Sequence, residues 1–393
     1  SGMGGGGQVD VKPSTDSNIA VNSVFAGMAF FAGTIHNMIG SKVMLFCGAL
    51  GYCLYVSSYL SYNFNQNGGF VVAAGAILGF CAAFLWTAQG ALMLSYPVEG
   101  EKGRFISIFW IIFNLGAVLG SAIAMGLSWN SDSNTLSNGT YIVFIVLTGC
   151  GAFVTLLLKS PGKMLRSDGT PVVVPKQASW TDEIRGLARV LITDPWIVLL
   201  FPLFLASNWA YTWQFQVYNA QLFTLRTRAL NSLVYWMSQM VGSFVLGFIL
   251  DNPRLKRRQR AWIGWAIATI FVFAVWGGSY HVAKGYSRES ILLPSFKRTD
   301  VYDSGYVGLV FLYAFMGLLD SIVQCFTYWL FGAMSNDIAK LAHYAGFYKV
   351  RSATSLLHAV PSTDISLLTP PCSPFKAPAQ QQPLGSTTTK NPS

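Results

Sequence analysis

Long apolar runs separated by short polar connections dominate the hydropathy pattern of this sequence. A helix that crosses the roughly 30 Å hydrocarbon core of a bilayer needs about 20 mainly apolar residues. About nine runs meet this requirement, and each is predicted to be helical because backbone polar groups in lipid must be paired within their own segment. The predicted spans are 17–37, 43–62, 69–95, 104–127, 140–159, 195–218, 229–250, 260–280 and 306–334.

Composition supports the same class. Hydrophobic residues make up 52% of the chain and charged residues only 11%, whereas a soluble domain has about a quarter of its residues charged. The sequence therefore predicts an all-α, multi-pass integral membrane protein whose first partner is the lipid bilayer.

The net charge of +10 does not indicate nucleic-acid binding, because the cations form short clusters between the apolar runs. Alternate connections carry these clusters, at Lys42, at Lys102 and Arg104, and over 159–189 and 254–260. Cations favour the cytoplasmic side of a membrane, so these connections are predicted to be cytoplasmic. This charge bias holds for most connections but not for all of them. Predicted outer connections also contain cations, among them Arg226, Arg228, Lys284, Arg288, Lys297 and Arg298.

One predicted outer connection contains the triplet Asn138-Gly139-Thr140. This sequon is a candidate N-glycosylation site on the expected side of the membrane. The alternative is chance, because such triplets are common.

The connection 160–194 is long and divides the spans into two groups. We expect an N-terminal helical half over 1–159, a cytoplasmic loop over 160–194, a C-terminal half over 195–349 and a disordered tail over 350–393. Within the loop, apolar residues between Trp180 and Leu191 recur at helical spacing. They predict an amphipathic helix, lying either on the membrane surface or under the helical bundle. The tail is rich in Ser, Thr, Pro and Gln and cannot bury enough apolar surface to order itself.

The first predicted connection has a pattern of small and polar residues. Gly33, Asn37, Gly40 and Lys42 have the spacing of the loop motif GxxxDxxGxK, with Asn37 in the acidic position. A second copy of the order glycine, acid, cation begins at Gly247 and Asp251 and continues into the basic run. Small residues allow close helix approach, and the polar side chains are suited to fastening a cytoplasmic gate.

This motif resembles that of the major facilitator superfamily, and further stretches resemble its Unc-93-like branch, the ion channel regulatory proteins. These stretches are residues 86–90, 95–97, 101–104, 109–116 and 335–337. The resemblance implies a bundle of two pseudo-repeated halves with twelve helices in all. It makes the first span helix two, and implies that helix one is largely missing and that helices eleven and twelve are missing or incomplete.

An ionisable residue inside a span is costly and suggests a functional site. Asp320 lies in the middle of the last predicted span, and Gln324 one turn later shares its face. Facing a cavity, Asp320 would exchange a proton or pair with a cationic solute; the alternative is a structural hydrogen-bond anchor. The other candidates for lining the cavity are Gln89, Asn114, Asn208, Trp213, Gln214 and Gln216.

No enzyme motif is found, and the cysteines and histidines lack metal-ligand spacing. We expect no enzymatic activity, no metal and no cofactor. The leading prediction is alternating-access transport of a small solute, with protons as a candidate coupling ion. Two alternatives remain, a non-transporting regulatory subunit of a channel or receptor and a truncated product without independent function.

Overall fold

The computed structural model of this chain is built from helices. It describes residues 11–129, 138–159, 164–172, 185, 189, 192, 195–207, 209–287, 290–291, 296–336, 340–341, 343–345 and 347–348. Within these ranges the β-structure consists of two isolated bridges. The all-α prediction is confirmed.

Five helices form the first group: α1 Val11–Ile39, α2 Ser41–Asn65, α3 Gly68–Ser95, α4 Lys102–Ser128 and α5 Asn138–Thr155. Helix α1 is bent by 65° between its parts Pro13–Ala29 and Phe31–Ile39. It is joined to α2 through Gly40, whose φ of +80° is a left-handed conformation that favours glycine. Helix α3 packs against both α1 and α2, and α5 packs against α2.

The second group begins with a stretch of short helical pieces and continues with three long helices. The short pieces are α6 Pro195–Leu199, α7 Phe201–Ser207, α8 Trp209–Tyr211, a π-helix Thr212–Asn219 and α9 Ala220–Leu222. We call this stretch, residues 195–222, the segmented helix. The long helices are α10 Leu225–Leu250, α11 Arg257–Ala283 and α12 Tyr306–Met334.

Helix length and hydropathy agree with a membrane protein that crosses the bilayer many times. Seven described helices are long and apolar enough to span: α2, α3, α4, α5, α10, α11 and α12. The bent helix α1 makes eight if its two parts form one span. The predicted span 195–218 coincides with the segmented helix, whose pieces are each too short to be counted singly.

The two groups meet mainly where α4 packs along α10, while α12 packs against α10 and α11 within the second group. A buried apolar cluster fills the space between these helices, including Trp110 of α4, Leu246 of α10 and Phe326 of α12. Apolar packing between α4 and the second group therefore sets the position of the polar residues discussed below.

Two cations at the predicted outer end have acidic neighbours. The Arg226 Nε atom lies 2.8 Å from Asp300 Oδ2, and the Lys297 Nζ atom lies 3.2 Å from Asp303 Oδ1. Two of the cations that depart from the predicted charge bias are thus paired locally with carboxylates.

Several predicted features lie outside the described residues. These are residues 1–10, the tail 350–393 and most of the central loop, where Arg185 and Arg189 are helical within the predicted amphipathic stretch. In the stretch that resembles the start of helix eleven, the described residues are helical, namely 340–341, 343–345 and 347–348.

Candidate functional site

Asp320 lies near the middle of α12 and is buried, with 7% of its surface exposed. The Tyr211 hydroxyl bridges both carboxylate oxygens at 2.7 and 2.8 Å. The Gln239 side-chain amide donates to Oδ2 at 2.7 Å. Hydrogen bonds to a charged group are stronger than those between neutral groups, and together these donors fix the orientation of the carboxylate.

Two further residues surround this site. The Tyr235 hydroxyl lies 3.3 Å from Asp320 Oδ2 and 3.2 Å from Gln214 Oε1, so its one proton is shared between two acceptors. Gln324, predicted to share the face of Asp320, donates to the Tyr211 hydroxyl at 3.4 Å and accepts a hydrogen bond from Tyr348. Gln324 and Asp320 thus both hydrogen-bond the Tyr211 hydroxyl.

The carboxylate is also linked to the first group of helices. Gln239 accepts a hydrogen bond at 3.0 Å from Trp110 Nε1 of α4, while its amide nitrogen donates to Asp320. Gln239 is fully buried. A continuous path of side chains therefore runs from α4 through α10 to α12.

A cavity of about 440 Å³ reaches Asp320. Its walls come from the segmented helix, α11 and α12, and most of them are apolar. The lining includes Leu203, Tyr211, Gln214, Trp276, Leu319 and Asp320. All of its lining residues fall between positions 202 and 323, so the cavity lies within the second group of helices.

The other predicted cavity residues are only partly at the cavity. Gln89 and Asn114 are buried in α3 and α4 and bond locally, to Met93 Sδ and to the Trp110 carbonyl. Trp213 packs against Tyr218 and against Trp276, which itself lines the cavity. Of the remaining candidates, Gln214 lines the cavity, while Asn208 and the side chain of Gln216 lie outside the described residues.

Sequence reasoning missed three residues of the site, Tyr211, Tyr235 and Gln239. Gln239 had a usable signal, because a polar amide in the middle of an apolar run follows the same logic as Asp320. The tyrosines had none, since tyrosine is common throughout the membrane segments of this chain.

A second polar cluster lies where α4 begins and α10 and α12 end, and we call it the end latch. It consists of Lys102 and Asp251 with the groups that they bind. The buried Lys102 ammonium donates to the carbonyl oxygens of Gly332 and Ser335 and to Asn336 Oδ1. These acceptors lie at or just beyond the C-terminal end of α12, where the helix dipole favours a cation.

Asp251 makes the reciprocal contact. It accepts hydrogen bonds from the backbone N–H groups of Gly103, at 2.8 Å, and Arg104, at 2.5 Å, in the first turn of α4. Burial raises the pKa of the Asp251 carboxyl above its ordinary value, although these N–H groups and Arg260 act in the opposite direction. In both parts of the latch, a charged side chain therefore faces a helix end whose dipole has the opposite sign.

Gly247 allows α10 to approach α4 near the latch. A Cβ atom at this position would lie 2.7 Å from Ser107 Cβ and 3.2 Å from the Gly103 carbonyl oxygen. Two residues of the second motif copy, Gly247 and Asp251, therefore both contact α4.

The first motif copy forms the turn between α1 and α2. Gly33 and Asn37 are buried there, and the Gly40 N–H bonds the His36 carbonyl oxygen at 2.9 Å. Lys42 approaches the carbonyl oxygen of Leu156, at 3.5 Å, beyond the end of α5. This copy contacts its own group of helices, and its role in a gate stays a prediction.

Asn138 is the first residue of α5 and is exposed. Its side-chain oxygen accepts a hydrogen bond of 2.6 Å from Asn63. Glycosylation of Asn138 stays a prediction.

Among the described residues, no group of three or more His, Cys, Asp or Glu side chains is arranged to hold a metal ion. Their five cysteines are free thiols.

Comparison with known sequences identifies relatives over most of the chain. The family model described as ion channel regulatory protein UNC-93 matches residues 16–276. A UNC93-like protein of Schizosaccharomyces pombe is 45% identical over 89% of this chain and 69% of its own length. UNC93-like protein 1 of Arabidopsis thaliana is 37% identical over 90% of this chain and 77% of its own length.

Solved structures with a similar fold include transporters. The Escherichia coli fucose:proton symporter FucP has a TM-score of 0.59 at 13% identity, covering 90% of this chain and 85% of its own. The E. coli xylose transporter XylE has a TM-score of 0.61 at 11% identity, covering 92% and 87%. At these sequence identities the likeness to both transporters is one of fold. This multi-pass membrane protein belongs to the UNC-93 family.

Proposed function

We propose that this protein moves a small solute across the membrane by alternating access, with Asp320 as its charged binding or coupling site. The observation that carries the proposal is a buried carboxylate, midway along α12, that lines a cavity of about 440 Å³. Ionisable groups at this depth are expensive, and in transporters they mark substrate and proton pathways.

The end latch would serve as the gate at its end of the molecule. Alternating access needs contacts between the two halves that hold at one end of the molecule while the other end opens. Lys102 and Asp251 join the start of α4 to the ends of α12 and α10 through hydrogen bonds. Such contacts can break and re-form, because water can replace each partner once the end of the bundle opens.

A proton is a candidate coupling ion because the hydroxyl groups around Asp320 can either donate or accept a hydrogen bond. Protonation would turn one carboxylate oxygen into a donor, and the hydroxyls of Tyr211 and Tyr235 can rotate to accept from it. The Gln239 amide would then lose part of its attraction to Asp320, and its hydrogen bond to Trp110 would carry this change to α4.

Solved structures of this fold differ in the solutes that their titles name. Related solved structures include a fucose:proton symporter, a xylose transporter and a human organic anion transporter. The description of the matching family, ion channel regulatory protein, supports a second candidate function, a regulatory subunit that does not move solute.

Distance measurements between spin labels test the proposal without knowledge of the solute. Labels at the exposed positions Phe64 and Ser304 report on the outer end, and labels at Leu157 and Arg258 report on the latch end. We expect two populations at each end, with opposite changes as pH is varied, in a background without native cysteines. Asp320→Asn should remove this reciprocal response of the two ends, and Asp168→Asn, on an exposed loop, should keep it.

A single distance population at both ends, unchanged by pH, would contradict transport. It would favour the regulatory subunit, which needs no reciprocal opening.

A further inference from the structure

The cavity beside Asp320 has an apolar rim and a polar floor. Pro202, Ala206 and Trp276 lie at the rim and are exposed, whereas Gln214 and Asp320 are buried at the floor. A ligand that reaches the carboxylate must therefore pass apolar and aromatic side chains. The cavity volume of about 440 Å³ suits a drug-sized organic molecule, for which sites of roughly 300–1,000 Å³ are typical.

Asp320 is the one charged residue among the described residues that line this cavity. Its donors Tyr211, Tyr235 and Gln239 are neutral. They orient the carboxylate and stabilise it without cancelling its charge. The electrostatic field at the cavity floor therefore favours a positive ligand and repels an anion.

Most polar side chains of the lining already have partners within the protein. Gln214 Oε1 accepts from Tyr235, Tyr211 donates to Asp320, and Ser207 donates to the Phe204 carbonyl. A sugar brings many hydroxyl groups that each need a partner when buried. The lining offers instead aliphatic surface and the aromatic faces of Tyr211 and Trp276, which attract cations.

We propose that this cavity binds a lipophilic organic cation, with its charge opposite Asp320 and its apolar body against Trp276 and the aliphatic lining. This inference rests on the proposed transport function, because it names the class of the transported solute. Binding itself does not require transport, and the two are measured separately.

Equilibrium binding of radiolabelled tetraphenylphosphonium to the purified full chain in detergent tests the inference. Tetraphenylborate, which has the same shape and the opposite charge, is the matched control ligand. We expect saturable binding of the cation, with the anion at least about tenfold weaker.

Variants then assign the binding to this cavity. Asp320→Asn should weaken cation binding by about tenfold or more, and Trp276→Leu by about two- to fivefold through loss of its aromatic face. Asp168→Asn makes the same chemical change on an exposed loop and should have no effect. Monodisperse elution in size-exclusion chromatography verifies folding, and if Asp320→Asn fails this check, Trp276→Leu alone decides.

The outcomes separate the inference from the proposed function. Equal affinity for the two ions, or cation binding unchanged in both cavity variants, overturns the inference even if the spin labels report alternating access. Cation binding that depends on Asp320 and Trp276 supports the inference even if the spin labels report one fixed state.

Discussion

Gln239 is the residue through which the carboxylate of α12 and the indole of α4 are connected. Its side chain accepts from Trp110 and donates to Asp320, so both ends of the amide are used. Replacing one member of a buried pair costs more than removing both, because the remaining polar group stays desolvated without a partner.

We therefore expect Gln239→Leu to destabilise the protein strongly. The change leaves the Trp110 N–H without its acceptor and Asp320 without one donor, each at a cost of roughly 1–3 kcal/mol. Thermal unfolding in detergent, followed by intrinsic fluorescence, measures the effect on the midpoint temperature.

A double-mutant cycle supplies the control for this prediction. Trp110→Phe removes the indole donor, so the double variant should lose less than the sum of the two single variants. Strict additivity would mean that the Trp110–Gln239 hydrogen bond contributes no coupling.

The sequence could predict Asp320 but not its surroundings. An acid in an apolar run is visible in one dimension, and Gln324 follows from helical spacing. Tyr211, Tyr235 and Gln239 are separated from Asp320 by between 81 and 109 positions. Only tertiary packing brings such residues together, and it is also why Gln89 and Asn114 lie apart from the cavity.

Among the elements, the long helices follow from hydropathy alone, whereas the segmented helix does not. The predicted spans 43–62 and 306–334 correspond to α2, Ser41–Asn65, and α12, Tyr306–Met334. The predicted span 195–218 is divided into α6, α7, α8 and a π-helix. Hydropathy reports that a segment is apolar, but not how its backbone hydrogen bonds are arranged.

The contact between α4 and α10 should depend on the absence of a side chain at position 247. In Gly247→Ala the new Cβ would lie 2.7 Å from Ser107 Cβ, so the two helices must separate locally. Overpacking of this kind costs about 1–3 kcal/mol. We expect a lower unfolding temperature in detergent.

Gly116→Ala is the matched control for this substitution. Gly116 lies within α4, and a Cβ there would meet nothing within 4 Å. The control should be neutral or slightly stabilising, because alanine favours helix by about 1 kcal/mol. Equal losses for the two variants would show that helix approach at Gly247 is not the cause.

For the molecule as a whole, the end latch should decide whether its end of the bundle is closed. Lys102→Met keeps the apolar stem but removes the ammonium that binds the Gly332 and Ser335 carbonyls. We expect the latch end to open more often, which exposes Ser107 between α4 and α10.

A cysteine introduced at Ser107, which is 5% exposed, reports this opening through its reaction with a membrane-impermeant maleimide. Labelling should be faster in the Lys102→Met background than in the parent. Lys297→Met, which removes an exposed cation at the other end, is the control and should leave the rate unchanged. The latch assignment fails if the Ser107 cysteine is labelled at the same rate in the Lys102→Met background as in the parent.

The same latch should respond to pH through Asp251. Burial raises the pKa of this carboxyl in the closed latch, and opening would return it to its ordinary value of about 4. The closed state therefore holds the proton more tightly.

Below the ordinary pKa both the closed and the open latch are protonated, and burial of Asp251 carries no charge penalty. As pH rises through the raised pKa the closed state loses stability relative to the open one. In an Asp320→Asn background, which removes the reciprocal response of the two ends, spin labels at Leu157 and Arg258 should still report a larger open fraction across this window. Asp251→Asn should abolish this remaining change, and the loop control Asp303→Asn should retain it. An open fraction that falls with rising pH would reverse the sign and show that the backbone N–H groups of α4, rather than burial, control the charge of Asp251.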